Sequence, residues 1–292
     1  MVIKVGGGQG NQMFQYAMGR AVSMKLGETL VLDVSFFNKN ERQFELDQYE
    51  VKYERKITQS RFLVDQILRV ANIIGGLKYL NIVLHLYSER RMFAYEDITR
   101  LPDKKKKYIF YGYWQNTKYF EEIRDILIKD FTYKLPLDLI QTKYIEKMKR
   151  ENSVAMHVRR TDYLVPGSYE YFAHPTKRYY DNAVAYIEKQ TRQKAKIYIF
   201  SDDIEWCKRE FKDYPNVVFV DDKISTGQHV DMELMRNCKH FVIANSTFSW
   251  WGAWLAEYKE KILVAPERWF QDELKNQQVR KALLCGWTMM KG

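Results

Sequence analysis

The chain has 292 residues, of which 46% are hydrophobic and 29% charged, a composition typical of a folded protein rather than a disordered one. Its length allows two domains of ordinary size. The formal net charge of +10 indicates an anionic partner, such as a nucleotide, a nucleic acid or an acidic membrane surface, without choosing among them. Aromatic residues make up 15%, which suits stacking on bases or sugars but is also explained by core packing.

Cysteine usage and the absence of long apolar runs indicate the compartment. Cys207, Cys238 and Cys285 are widely spaced and suggest neither structural zinc nor a disulfide framework. The chain opens with a strand-like stretch at 2–5 instead of a signal peptide, and no run of about 20 apolar residues could span a bilayer. We therefore expect a cytoplasmic protein. Peripheral contact with the inner membrane surface stays open, because the lysine run at 104–107 suits either a solvated loop or anionic headgroups.

The first half of the chain opens with a predicted βαβ unit. Residues 2–5 are strand-like, residues 6–10 contain four glycines, apolar residues keep helical spacing over 11–26, and residues 29–33 are again strand-like. We then predict a helix at 58–76 that packs in the core rather than on a membrane. A strand at 108–113 and helices at 119–131 and 137–150 follow. The last of these opens at Pro136, which suits a first helical turn.

From residue 153 onward, predicted strands and helices alternate. The strands are predicted at 153–158, 196–200, 217–220, 240–244 and 261–264, with helices between them at 178–191, 204–211, 230–237 and 250–258. Such alternation indicates a parallel sheet covered by helices on both faces. We predict an α/β fold of two domains that face each other, an N-terminal domain over residues 1–150 and a C-terminal domain over residues 151–292.

In open parallel sheets, ligands bind beyond the carboxyl ends of the strands, so polar residues that directly follow predicted strands are the candidates. The first group is the glycine loop at 6–12. Its backbone can approach a ligand closely, and the following helix offers N–H groups to an anion. Asn11 is placed to cap that helix and to reach a ligand. The loop matches neither the dinucleotide motif nor the phosphate-loop motif, so a plain tight turn is an equal alternative.

The second group, residues 157–163, follows the strand at 153–158. We expect His157 and Arg159 on the same side of the strand end, because side chains alternate along a strand. An arginine at this point is a bidentate partner for a diphosphate. Asp162 is either a base or a carboxylate that holds one arginine in place. A surface salt-bridge cluster is the alternative for the whole group, and a structural role is the alternative for His157.

The third group is residues 201–203. Asp202 is placed to accept hydrogen bonds from ribose hydroxyls, as acidic residues do after strands in nucleotide-binding folds. The alternative is that these acids cap the next helix and place negative charge in its first turn. A metal site is disfavoured because no further acids cluster there.

The fourth group, residues 245–251, enters a helix after the strand at 240–244. Ser246 and Thr247 offer hydroxyls and backbone N–H groups that suit a phosphate, and a simple capping turn is the alternative. In an earlier helix, the Asp231 carboxylate is complementary to the N1–H and 2-amino groups of guanine. We expect the tryptophans of this segment to pack in the core. Together, the four groups predict a nucleotide ligand.

These segments resemble, in chain order, the motifs of the α-1,2-fucosyltransferases of glycosyltransferase family 11. Residues 7–17 (GGQGNQMFQYA) resemble the family's Gly-Gly-Leu-Gly-Asn-Gln loop, and residues 157–163 (HVRRTDY) resemble its His-x-Arg-Arg-x-Asp-Tyr segment. Residues 200–206 (FSDDIEW), 231–235 (DMELM) and 245–254 (NSTFSWWGAW) complete the set, and the similarity extends to about residue 270. Gln9 stands where leucine is usual and Thr161 where glycine is usual. Either change could alter acceptor preference or rate, but neither removes a charged residue.

The resemblance implies a GT-B fold of two Rossmann-like domains around a central cleft, with GDP-fucose on the C-terminal domain and the acceptor site shaped by the N-terminal one. It implies inverting, metal-independent transfer of fucose to the 2-hydroxyl of a terminal β-galactoside, on an oligosaccharide or a lipid-linked glycan. The residues it implies for the donor are Arg159 at the β-phosphate, His157 and Asp231 at the nucleotide, Ser246 and Thr247 at phosphate, Asp202 at the ribose or base, and Gly10 and Asn11 at the diphosphate and fucose. Asp162 is our candidate general base, beside Arg159 as the second catalytic residue.

Two other hypotheses stay open. One is a transferase that uses another nucleotide sugar or makes another linkage. The other is a basic nucleic-acid-binding protein, which the charge alone would allow, although the sequence has no known binding module and no basic stripe interleaved with aromatics. We therefore expect no nucleic-acid partner. A bacterial origin is favoured because the animal relatives carry a membrane anchor before this region.

Overall fold

The computed structural model describes residues 1–39, 42–58, 86–98 and 108–292. The chain divides into two compact units, Met1–Thr132 and Tyr133–Gly292. The helix Leu139–Arg150 therefore belongs to the second unit. The boundary predicted at residue 150 places it in the N-terminal domain instead. Of the predicted helix at 58–76 only Thr58 is among these residues, and the lysine run at 104–107 lies outside them.

The first unit is built on a parallel sheet whose strands, within the described residues, have the order β3-β2-β1-β5-β4. The strands are β1 Val2–Lys4, β2 Val31–Asp33, β3 Arg55–Ile57, β4 Leu86–Ser88 and β5 Ile109–Tyr111. Helix α1, Gln9–Leu26, connects β1 to β2 and ends at Gly27, whose φ of 65° lies in the left-handed region that glycine adopts without strain. The predicted βαβ opening is confirmed.

The region 119–131 is less regular than the helix predicted there. Two 3₁₀ turns, Thr117–Tyr119 and Glu121–Ile123, precede the short helix α2, Arg124–Asp130. Phe120 separates the two turns with a φ of −142°, which is not helical. Its side chain is buried and packs against Phe14 of α1, with 5.8 Å between the ring centroids. Tertiary packing of this phenylalanine therefore competes with helix continuity.

The second unit is built on a six-stranded parallel sheet with the order β11-β10-β9-β6-β7-β8. Its strands are β6 Ser153–Val158, β7 Lys196–Ser201, β8 Val217–Phe219, β9 His240–Val242, β10 Leu263–Pro266 and β11 Thr288–Met290. Its helices are α3 Leu139–Arg150, α4 Ser168–Tyr171, α5 Lys177–Thr191, α6 Ile204–Glu210, α7 Gln228–Arg236, α8 Thr247–Leu255 and α9 Glu273–Leu283. Counted from β8, this is the strand order of a dinucleotide-binding Rossmann sheet. The α/β prediction with two Rossmann-like sheets is confirmed.

Strand β6 is the centre of this sheet. All six of its residues are buried, and it pairs with β7 on one side and with β9 on the other. The chain runs outward from β6 to β8 and then returns to the opposite side of β6 at β9. The connections that follow β6 and β9 therefore leave in opposite directions, and such a reversal is where open α/β sheets bind ligands.

Two local predictions need correction or completion. Helix α3 begins at Leu139, not at Pro136, because the Asp138 carboxylate accepts a hydrogen bond from the Gln141 backbone N–H at 2.8 Å and the Gln141 side chain accepts one from the Asp138 N–H at 3.1 Å. Beyond residue 264, the chain adds α9 and β11, for which no element is predicted.

Trp250 and Trp251 are fully buried, as expected of core residues. None of the described helices has the length and apolar character needed to cross a bilayer.

Candidate functional site

Three of the four predicted groups lie at one edge of the second sheet. Arg159 directly follows β6, Asp202 directly follows β7, and Ser246 lies four residues after β9. Because β9, β6 and β7 are neighbouring parallel strands, their carboxyl ends lie at the same edge. The structure therefore brings these groups together at the point where the strand order reverses.

Arg159 is held by two carboxylates. Its Nε donates to Asp162 Oδ1 at 2.9 Å and its Nη2 donates to Asp162 Oδ2 at 2.7 Å, while Asp202 Oδ2 lies 3.4 Å from Nε. Burial acts to lower the pKa of Arg159, but its hydrogen bonds to Asp162 and the charge of Asp202 raise the pKa above the ordinary value. A guanidinium has five N–H donors, and Asp162 takes two of them. The result is a permanent cation in a fixed orientation.

The bidentate pair matches the alternative in which Asp162 holds an arginine in place. Two parallel charge-assisted hydrogen bonds fix the plane of the guanidinium as well as its position. The role of Asp162 as a general base stays a prediction, since a proton acceptor must also reach the acceptor hydroxyl.

Asp202 binds the backbone of the segment that follows β6. Its Oδ1 accepts from the Arg160 N–H at 2.9 Å, and its Oδ2 accepts from the Thr161 N–H at 3.1 Å and from the Thr161 hydroxyl. Its contact with the ribose or base stays a prediction.

The neighbouring Asp203 has the structural role that was the alternative for this group. Its carboxylate caps α6 by accepting from the Trp206 N–H at 3.1 Å, and it pairs with Arg160 at 3.4 Å. The Arg160 guanidinium carbon lies 3.8 Å from the centre of a Trp206 ring. The two consecutive arginines therefore have different surroundings: Arg160 is anchored to α6, whereas Arg159 lies between two carboxylates.

His157 is the fifth residue of β6 and is buried. Burial, with a smaller effect of the positive charge of Arg159, lowers its pKa to about 3, partly offset by Asp202. The ring is therefore neutral at pH 7. Its Nδ1 is buried and has no hydrogen-bond partner among the described residues, and its ring lies 5.7 Å from that of Phe248 in α8. Buried polar atoms of native proteins are rarely left without a partner, so this atom suits a bound group or water.

The start of α8 combines a cap with a network that the sequence did not predict. Ser246 caps the helix by accepting from the Phe248 N–H at 3.3 Å, which confirms the capping alternative, and Thr247 is the first helical residue. The Asn245 amide donates to the carbonyl oxygens of Ala173 and Trp269, each at 2.8 Å. The positive end of the α8 dipole still favours an anion in front of these residues.

Asp231 lies in the first turn of α7, which begins after Gly227. Burial raises the pKa of its carboxyl to about 6, and a hydrogen bond with Ser225 partly opposes this. At the start of the same helix, the rings of His229 and Tyr133 stack with their centroids 4.8 Å apart. The sequence singled out Asp231 but neither of these rings, because their contact joins positions far apart in the chain.

In the first unit, the glycine loop follows β1, which lies between β2 and β5 in the sheet. The prediction that Asn11 caps α1 is wrong. The residue before the helix is Gly8, and Asn11 lies in the first turn, where its Oδ1 accepts from Gln115 Nε2 at 2.9 Å. Gly10 also lies in this first turn. Gly7 has a φ of 80°, and a Cβ there would lie 3.0 Å from the Asn11 amide, so this position requires glycine.

Two buried glutamines fix this loop, and their role is not evident from the sequence. Gln12 donates to the carbonyl oxygens of Gly7 at 3.0 Å and Gln43 at 2.9 Å. Gln15 accepts from the Gly6 N–H at 2.9 Å and donates to Gly112 at 3.0 Å. The glycine loop is thus held in one conformation by side chains of the helix that follows it.

A Rossmann-order sheet with a fixed cation and a helix N-terminus at its reversal point is typical of nucleotide-binding proteins. Among the described residues, no group of three or more His, Cys, Asp or Glu side chains is arranged to hold a metal ion. The model of glycosyl transferase family 11 matches residues 1–291. The chain therefore belongs to glycosyl transferase family 11, and it is a glycosyltransferase.

Two relatives support this membership over nearly the whole chain, and a more distant one over half of it. An α-1,2-colitosyltransferase of Escherichia coli is 34% identical over 288 residues, covering 94% of this chain and 94% of the relative. The O-antigen biosynthesis glycosyltransferase WbnK of Escherichia coli is 31% identical over 289 residues, covering 93% and 95%. Galactoside α-(1,2)-fucosyltransferase 2 of Sus scrofa is 24% identical over 153 residues, covering 50% of this chain and 44% of the relative.

Proposed function

We propose that this glycosyltransferase is an inverting α-1,2-fucosyltransferase that moves L-fucose from GDP-fucose to the 2-hydroxyl of a terminal β-galactoside. The acceptor is a galactose-terminated oligosaccharide or a lipid-linked glycan. The observation that carries the proposal is the Arg159 guanidinium, which two carboxylates fix at the reversal point of a Rossmann-order sheet. The α-1,2 linkage is supported by the motif resemblance and by two relatives whose names include it.

The residue roles follow from the chemistry of the donor. Arg159 neutralises the β-phosphate, and Ser246 with Thr247 presents the N-terminus of α8 to phosphate. His157 offers a neutral imidazole to the nucleotide, because its pKa of about 3 excludes the charged form at pH 7. Asp231 accepts hydrogen bonds from guanine N1–H and the 2-amino group.

Three further roles stay proposals of the same kind. Gly10 and Asn11 approach the diphosphate and the fucose, where the constrained glycine loop lets the backbone come close. The sequence predicts Asp202 at the ribose or base, whereas its contacts with the Arg160 and Thr161 N–H groups support a role in holding the turn after β6. Asp162 stays the candidate base, in competition with its role as the partner of Arg159.

The acceptor hydroxyl attacks the anomeric carbon of fucose while GDP leaves, through a cation-like transition state comparable to that of glycoside hydrolysis. Negative charge accumulates on the leaving diphosphate as the glycosidic bond breaks. Fixed cations and N–H donors aimed at that charge stabilise the transition state more than the ground state. Arg159 is suited to this because its carboxylate partners already hold its orientation, so that little reorganisation accompanies the reaction.

A second candidate donor is GDP-colitose, favoured by the 34% identical α-1,2-colitosyltransferase. Colitose is L-fucose without the 3-hydroxyl, so the two donors differ by one hydrogen-bonding group. A site that hydrogen-bonds a hydroxyl rejects the analogue without it by about 10⁴-fold or more, whereas a site without such a partner discriminates weakly. The ratio of kcat/KM for the two donors therefore identifies the natural one.

The proposal is tested by incubating the protein with GDP-fucose or GDP-colitose and a panel of galactose-terminated oligosaccharides, followed by linkage analysis of the product. We expect an α-linkage to the 2-hydroxyl of galactose, with transfer from GDP-fucose preferred. A preference for GDP-colitose would support the second candidate. No transfer to any acceptor, together with no hydrolysis of either donor, would contradict the proposal.

A further inference from the structure

The contacts of Asp202 differ from those of a ligand-binding carboxylate. Its Oδ1 accepts from the Arg160 N–H, and its Oδ2 accepts from both the N–H and the hydroxyl of Thr161. The same Oδ2 lies 3.4 Å from Arg159 Nε. Both oxygens of one side chain therefore bind three consecutive residues, which form the turn directly after β6.

This turn determines where the guanidinium of Arg159 points. The backbone of Arg160 has a φ of −137° and a ψ of −63°, outside the regular helix and strand regions, and a 3₁₀ turn, Thr161–Tyr163, follows it. Hydrogen bonds to the backbone N–H groups of Arg160 and Thr161 fix the conformation of this turn. Asp202 supplies that fixation from the adjacent strand, because β7 ends beside β6.

The accessibility of Asp202 agrees with this role. Its side chain is 17% exposed, and three donors already occupy its two oxygens. A ribose hydroxyl would have to share those oxygens with the backbone N–H groups or displace them. Displacement would release the turn that holds Arg159, which would oppose donor binding.

We propose that Asp202 is a positioning residue, which fixes the turn at 159–161 so that Arg159 meets the diphosphate, and that it does not contact the ribose. This inference rests on the proposed function, because it holds that the fixed turn orients Arg159 to bind the diphosphate. It departs from the expectation that the carboxylate after β7 binds the ribose or base of the nucleotide.

Nucleotide binding separates the two roles. Dissociation constants for GDP, GMP and 2′-deoxy-GDP are measured by calorimetry for the natural protein and for Asp202→Ala, Arg159→Ala and Asp203→Ala. If Asp202 positions Arg159, Asp202→Ala reduces the preference for GDP over GMP by about tenfold or more, as Arg159→Ala does. The penalty for removing the 2′-hydroxyl then stays unchanged. Asp203→Ala, which removes only the cap of α6 and the Arg160 pair, keeps both preferences.

The opposite pattern would overturn the inference: an unchanged preference for GDP over GMP in Asp202→Ala, with the 2′-hydroxyl effect abolished. Asp202→Asn is the second variant if Asp202→Ala fails to fold, since it preserves shape and one acceptor oxygen. If the natural protein binds no guanine nucleotide, the proposed function fails.

Amide hydrogen exchange tests the positioning role without any nucleotide. In Asp202→Asn, at least one of the Arg160 and Thr161 amides should exchange about tenfold faster or more, because the side-chain amide keeps only one of the two acceptor oxygens. Asp203→Ala should leave these two amides protected. Unchanged exchange in Asp202→Asn would overturn the inference by itself.

Discussion

The hydroxyl of Tyr163 donates a hydrogen bond to the backbone carbonyl of Asn245 at 2.9 Å and joins the segment that follows β6 to the one that follows β9. Asn245 extends the link, because its side-chain amide donates to the carbonyl oxygens of Ala173 and Trp269. Tyr163 also lies against Arg159, with 5.8 Å between the guanidinium carbon and the ring centre. Asn245 thus connects three loops at the site edge of the sheet.

Asn245→Ala should therefore destabilise the protein. It removes two buried hydrogen bonds, of which the Ala173 carbonyl loses its Asn245 donor while the Trp269 carbonyl keeps the Ala173 N–H, and this costs about 1–3 kcal/mol of unfolding free energy. Urea unfolding followed by tryptophan fluorescence measures the change. Asn237→Ala is the matched control, since within the described residues the amide of Asn237 bonds inside its own turn, to Glu233, and the expected loss is smaller. Equal losses in the two variants would contradict the connecting role of Asn245.

Substitution of Arg159 and substitution of Arg160 should have different effects on catalysis. Arg159→Ala is expected to lower kcat by about 100-fold or more at saturating donor, by analogy with the loss of one oxyanion donor. Arg160→Ala removes a contact with Trp206 and a pair with Asp203, so it should mainly lower stability. Initial rates with saturating GDP-fucose and thermal unfolding measure the two effects. A near-normal kcat in Arg159→Ala would contradict the role of this residue at the β-phosphate.

Most of the fold could be predicted from periodicity and turn residues. The alternation of strands and helices from residue 153 onward matches β6 to β10 closely, because each buried strand is a short apolar run bounded by polar residues. The short strands β3 and β4 could not be predicted in this way, since β3 is a three-residue strand with two exposed residues. Only pairing with β2 and β5 defines them.

The residues that lie together at the candidate site could be predicted, but their contacts could not. The rule that ligands bind after parallel strands singled out Arg159, Asp202 and Ser246, which the structure places at one sheet edge. The local pattern did not determine whether Asp202 or Asp203 caps α6, or that Asp202 binds the turn after β6. Those outcomes depend on the register between β6 and β7, which a single sequence does not fix.

Asp162→Asn distinguishes a base from an arginine partner. The observed bidentate pair leads us to expect a decrease in kcat/KM of about tenfold, because the amide holds the guanidinium with one oxygen and no charge. The acidic limb of the pH–rate profile should stay in place. Rates over pH 5–9 with saturating acceptor measure both quantities. A loss of 10²–10⁴-fold together with loss of the acidic limb would instead assign Asp162 as the general base.

Chelation should leave the activity unchanged, because the proposed leaving-group stabilisation comes from Arg159 and the N-terminus of α8. The rate after dialysis against EDTA is compared with the rate after adding back Mg²⁺ or Mn²⁺. The control is the addition of either ion to the chelated Arg159→Ala variant. A metal that could replace the guanidinium would restore the rate of this variant. A more than tenfold loss on chelation that either ion restores would show that a metal carries part of the reaction.

Asp231 should make GDP affinity depend on pH. Burial raises the pKa of its carboxyl from 3.8 to about 6, so the group is mostly ionised at pH 7 and mostly protonated at pH 5. Only the ionised form accepts hydrogen bonds from both guanine N1–H and the 2-amino group. GDP affinity should therefore fall as the pH drops below about 6, by up to about tenfold per pH unit, and should change little between pH 7 and 8. Calorimetric titration from pH 5 to 8 measures this dependence.

Asp231→Asn provides the control and a second readout. With GDP, the variant keeps the titration of the terminal phosphate near pH 6 but loses the contribution of the carboxyl, so the difference between the two proteins isolates Asp231. A raised pKa stabilises the fold below the unfolded value of 3.8, and this contribution is lost as the pH rises through about 6. Asp231→Asn should consequently raise the unfolding free energy at pH 7, by at most roughly 3 kcal/mol, while weakening GDP binding. A variant that binds GDP as tightly as the natural protein at pH 7 would contradict guanine recognition by Asp231.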